Sequence, residues 1–173
     1  PGATALGLRN NGQIPGYDGE LVQFSRDNNG FITTQANVRY SLGEWDTASL
    51  YANRGQTVVL RGRDVEGPDL QIGSKWFDNK VLRASDTNSL RNSIEKAEGN
   101  FSNSAATSAG LSASDTRAFV DVRGNQRWDN TQAVIDDLTS GLPSNIQEVR
   151  VRTSDSIVHW NRGSQTPFVE PLP

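Results

Sequence analysis

The chain has 173 residues, a formal net charge of -3 and neither cysteine nor methionine. That length suits one domain of ordinary size, or a small domain with a substantial extension, and the missing thiols exclude disulfides, thiolate nucleophiles and thiolate metal sites together. Hydrophobic residues make up 34%, no apolar run approaches the ~20 residues that cross a bilayer, and the cations are scattered, so neither a membrane nor nucleic acid is expected as a partner.

In chain order, residues 1–16 carry four glycines and two prolines without a regular period, which predicts an N-terminal arm. From Leu21 to about Ser85 the pattern is that of strands. Val22 and Phe24, Val58 and Leu60, and Leu70 and Ile72 alternate with polar neighbours, and Asn28-Asn29-Gly30, Gly62 and Gly67-Pro68 mark turns. Asp86-Thr87-Asn88-Ser89 offers caps for a helix in which Leu90, Ile94 and Ala97 recur at i, i+4 and i+7, with Gly99 as its stop.

Between Asn100 and Asp115 the composition shifts to Ser, Ala, Asn, Thr and Gly, so 86–116 reads as a helix and a polar linker. Arg117 to Arg123 alternates as a strand. Asn130 is placed to cap a short helix through Val134, Ile135 and Leu138, ended by Gly141 and Pro143; Ile146–Arg152 and Ser156–Trp160 follow as strands, and the tail reads as Pro-rich coil. Residues 117–173 thus form a C-terminal extension of mixed α/β character.

Two stretches repeat one pattern: Leu21 to Phe31 running on to Trp45-Asp46, and Thr57 to Gly67 running on to Trp76-Phe77-Asp78. Each is an alternating apolar strand, a Gly-containing turn, and a Trp near an acidic residue. The spacing from Leu60 to Val65 and Gly67, and the pair Asp78-Asn79 after Trp76, resemble the motifs of the βγ-crystallin superfamily. The resemblance spans residues 17–85 and implies a mainly β fold: a double Greek key sandwich, with a partial further Greek key near Leu142 to Val151.

The resemblance also implies a Ca²⁺ site, with Asp46 and Ser49 on one side and Asp78 and Asn79 on the other. Ca²⁺ takes 6–8 oxygen ligands, and Leu82 and Arg83 stand where the family places hydroxyls, so weak or lost binding is expected. The function implied is a non-enzymatic structural, storage or stress-related protein, cytoplasmic or secreted, capable of self-association. A secreted carbohydrate-binding, inhibitor or toxin-like module is the alternative, with Trp128, set among Asn125, Gln126, Arg127 and Asp129, as the glycan-stacking candidate. His159 is the sole histidine; in a strand it and Ser156 point to opposite faces, so a structural role is expected in place of a catalytic triad.

Overall fold

The structure, a computed structural model, describes residues 21–25, 30–34, 41–61, 66–164 and 166–173. The arm expected over 1–16, the Asn28-Asn29 turn and Gly62 lie outside the described residues. The chain divides into two compact units, residues 1–77 and 78–173.

The first unit contains strands β1 (Leu21–Ser25) and β2 (Gly30–Thr34), helix α1 (Leu42–Ala52), strands β3 (Thr57–Leu60) and β4 (Leu70–Ile72), and the start of β5 (Lys75–Val81). β1 pairs antiparallel with β2, β2 parallel with β3, and β3, β4 and β5 pair antiparallel in turn. The sheet is mixed and accompanied by helix, so the mainly β expectation holds in this coarse form.

Its detail differs from paired Greek keys. A parallel β2–β3 pair needs a crossover connection, and α1 lies within it; a Greek key is built from antiparallel neighbours. α1 forms because Ser41 and Glu44 make a reciprocal capping box, each accepting the other's amide at 3.2 Å. Trp45, Ala48 and Ala52 then recur at helical spacing, and all three are buried. Trp45 therefore lies on a helix and Trp76 on strand β5, so the two tryptophans do not occupy equivalent structural positions.

The second unit begins within β5 at Asp78. It continues through helix α2 (Leu90–Ala97), the short helix α3 (Ser104–Ser108), β6 (Thr116–Asp121), helix α4 (Thr131–Thr139), β7 (Ile146–Arg152), β8 (Ser156–Asn161) and β9 (Phe168–Pro171). β5, β6 and β7 pair parallel and in order; β8 and β9 extend the sheet antiparallel. Leu90, Ile94 and Ala97 of α2 and Val134 and Leu138 of α4 pack into one core with Val120, Val122, Val149, Val151 and Val158. Each such Val, Leu or Ile side chain stabilises the fold by about 1.5–3 kcal/mol relative to exposure.

Both helices start where the sequence places their caps. The Ser89 hydroxyl accepts the Asn92 amide at 3.0 Å, and the Asn130 side chain accepts the Ala133 amide at 2.9 Å. Two expectations differ. Residues 100–115 are not a featureless linker, because Phe101 and Ala106 are fully buried and Asn103 caps α3. The tail is not plain coil, because Phe168–Pro171 pairs with β8.

Candidate functional site

Asp78 opens the second unit as a fully buried carboxylate. Side chains at i and i+2 share a face of a strand, which brings Lys80 to the same side of β5: its Nζ lies 2.8 Å from Asp78 Oδ2. From the turn that follows α2, Asn100 donates its Nδ2 to Asp78 Oδ1 at 2.7 Å. Oδ2 accepts no directed hydrogen bond; the Lys80 contact nevertheless counts as an ion pair, since attraction between unit charges at this distance does not require ideal hydrogen-bond angles. One carboxylate oxygen is thus oriented by an amide, while the other, among the described residues, faces an ammonium on a side chain 29% exposed.

Other buried carboxylates in this unit are held differently. Asp121 takes the Arg123 guanidinium through both oxygens at 2.6–3.1 Å, and Glu148 Oε2 accepts Arg150 Nε at 2.7 Å. Rigid arginine forks of this kind lock a carboxylate. In the first unit, the Asp69 amide, immediately ahead of β4, donates to the Phe77 carbonyl at 3.1 Å.

Of the residues expected to bind Ca²⁺, two belong to the first unit and two to the second. Asp46 and Ser49 lie on α1 in the first unit, where the Ser49 hydroxyl donates to the Trp45 carbonyl at 2.7 Å. Asp78 and Asn79 are adjacent on β5, so their side chains leave the strand on opposite faces. Among the described residues no three His, Asp or Glu side chains cluster as a metal cage. Mg²⁺ does not demand one, since it keeps several waters and uses one or two carboxylates plus substrate phosphates.

A second feature lies at the carboxyl ends of β5 and β6, a cleft of about 240 Å³ lined by residues 84–88 and 126–128. Asn125, only 3% exposed, fastens its two walls. Its Nδ2 donates to the carbonyls of Arg83 and Asp86 at 2.7 and 3.2 Å, while its Oδ1 accepts the amides of Arg127 and Trp128 at 3.0 and 2.9 Å. Trp128, the sequence candidate for ligand stacking, is 4% exposed and packs in the core, and its indole Nε1 is buried without a hydrogen-bond partner among the described residues. The Arg127 guanidinium covers its ring at 4.5 Å.

No protein-family model, curated protein or solved structure matches this chain.

Two further ionisable groups, His159 and Asp129, have structural partners. His159 stacks on Phe168 with ring centroids 4.4 Å apart and meets Glu170 Oε1 through Nε2 at 2.9 Å. Burial lowers its pKa, and the nearby Arg150 adds to that; Glu170 works against it. Ser156 bonds to Thr153 and Thr131 at 2.8 Å each, so it makes no triad with His159. Burial opposes ionisation of Asp129, but hydrogen bonds from Ser154 and from the Gly124 amide, helped by Arg123, outweigh it and lower the pKa. Asp129 lines a second, polar cleft of about 360 Å³ with residues 130–132 and 154–155.

Lys80 and Asn100 are the members of the acid site that the sequence pattern does not single out. The order Asp78, one residue, Lys80 on one strand was the available signal; Asn100 arrives only through the turn after α2.

Proposed function

We propose that this chain is a cation-dependent hydrolase of phosphodiester bonds, with Asp78 and Lys80 as its working pair. The observation that carries this reading is the fully buried Asp78 carboxylate with the Lys80 ammonium 2.8 Å away on the same strand face. Taking a carboxylate out of water costs several kcal/mol before any attraction to a partner is counted, and Asp78 is fully buried beside a cation that still reaches solvent.

Asp78 would hold a divalent cation through Oδ2, while the Asn100 amide keeps the carboxylate from rotating. The bound cation would supply charge neutralisation on phosphoryl oxygens and lower the pKa of water. With Asp78 engaged in this way, the Lys80 ammonium would be free to meet a phosphoryl oxygen, where positive charge stabilises the transition state. Water adds to phosphorus and the bond to the leaving oxygen breaks. The attacking water's proton passes to solvent, and the leaving oxygen takes one up.

The βγ-crystallin resemblance supports a rival reading, a structural protein with a double Greek key and a weak Ca²⁺ site at Asp46, Ser49, Asp78 and Asn79. It predicts weak or no Ca²⁺ binding, and no turnover. The two separate when full-length protein is incubated with labelled RNA or DNA oligonucleotides and Mg²⁺ or Mn²⁺. Cleavage that stops with EDTA, and in both Lys80→Met and Asp78→Asn, supports the hydrolase; no cleavage of either polymer, or cleavage unaltered in Lys80→Met, overturns it.

A further inference from the structure

From the cleft at the carboxyl ends of β5 and β6, we infer a binding site for one nucleobase of the polynucleotide substrate, read by Arg127 and Trp128. The inference deepens the hydrolase reading and rests on it for the choice of a nucleotide ligand. Its geometry stands independently.

Three observations lead to this class of ligand. First, the cleft is built in advance. Asn125 is buried and uses donors and acceptors alike to tie the 84–88 wall to the 126–128 wall, and the Gln126 amide adds a long contact to the Ala84 carbonyl at 3.4 Å. A preorganised wall spares the ligand the entropy of ordering it.

Second, the Trp128 Nε1–H is buried with no partner among the described residues, on a residue that lines the cleft. An unmet buried donor costs about 1–3 kcal/mol, and an indole N–H can only donate, so the group that satisfies it must be an acceptor such as a base carbonyl or ring nitrogen. Third, the central carbon of the Arg127 guanidinium lies over the Trp128 ring, 4.5 Å from its centroid, and Arg127 is exposed. An exposed guanidinium plane is a stacking platform for an unpaired base.

The cleft's size limits the choice further. At about 240 Å³ it falls below the roughly 300–1,000 Å³ of pockets for drug-sized ligands, which suits a single small ring system. Asn88 and Gln126 on its walls carry amides that donate and accept, the pairing that base edges present. Lys80 and this wall also belong to the same run of chain: residues 84–88 begin four positions after Lys80, a reach of about 13 Å at the rise of an extended strand. A base held in the cleft is therefore a near neighbour of the phosphodiester presented at Asp78 and Lys80.

The test is isothermal titration calorimetry of the full chain against GMP, AMP, CMP and UMP, with ribose 5-phosphate and maltose as counter-probes. The expected result is saturable binding of at least one mononucleotide and none of either counter-probe. Arg127→Gln, at an exposed position that leaves the core intact, should weaken that binding at least tenfold. Trp128→Phe, which keeps an aromatic ring and removes the N–H, should weaken it several-fold. No mononucleotide binding, equal affinity for ribose 5-phosphate, affinity unchanged in Arg127→Gln, or saturable maltose binding lost in Trp128→Phe would each overturn the assignment, the last in favour of a glycan. Base binding by a protein that cleaves no polynucleotide would uphold the cleft and sink the hydrolase; cleavage with no mononucleotide binding would do the reverse.

Discussion

Removing the Lys80 ammonium while keeping its length, as Lys80→Met, leaves Asp78 charged, fully buried and held by Asn100 alone. Breaking one side of a buried pair typically costs about 3–5 kcal/mol. The Lys80 side chain is 29% exposed, so water can partly replace it, and the expected loss is nearer 2–3 kcal/mol. Asp78→Asn removes the charge but keeps an acceptor for Asn100, and a partly exposed lysine can turn to solvent; its cost should be about 1 kcal/mol.

The double variant Asp78→Asn/Lys80→Met leaves no unpaired charge. It should lie within about 1 kcal/mol of the unsubstituted protein, which gives a coupling energy of about 2 kcal/mol. Urea unfolding followed by tryptophan fluorescence measures all four proteins, with Trp128 and Trp160 reporting from the second unit. A loss below about 0.5 kcal/mol for Lys80→Met, or a double variant as unstable as the sum of the singles, would refute the buried-pair reasoning.

Leu138, fully buried between α4 and the sheet, should cost about 2–5 kcal/mol as Leu138→Ala in the same experiment. The folded pKa of His159 lies below its unfolded value, so the unfolded chain takes up the proton first. Its contribution is present above about pH 6.5 and is lost as pH falls through the folded pKa; His159→Gln should flatten the dependence of the urea midpoint between pH 7.5 and 5. Ser49→Ala should leave divalent-cation binding unchanged in calorimetry, because that hydroxyl already serves the Trp45 carbonyl.

The second unit was readable where local rules and packing agree. Leu90, Ile94 and Ala97 repeat at helical spacing behind a Ser cap, and Val149 and Val151 alternate as in a strand; the buried faces follow those periods. Residues 42–52 were not readable as strand or turn closure, because the decisive signal was the Ser41–Glu44 capping box, not the Trp-acid echo with Trp76. Parallel pairing of β2 with β3 is a long-range choice that alternation cannot encode. At the site, the sequence pairs Asp78 with its neighbour Asn79, while the side chain that meets its carboxylate is Lys80, one strand period away. Trp128 was legible as unusual in its polar loop, yet its role depends on Asn125 clamping two segments about 40 residues apart, which only the folded chain reveals.

The most direct test uses the charge-neutral double variant, because its fold is expected to survive. Initial rates of oligonucleotide cleavage are measured across a Mg²⁺ titration for the unsubstituted protein and for Asp78→Asn/Lys80→Met at matched folded fraction. The account predicts saturable Mg²⁺-dependent cleavage in the first and a rate at least a hundredfold lower in the second. Equal rates in the two, or no Mg²⁺-dependent cleavage by the unsubstituted protein, would contradict it.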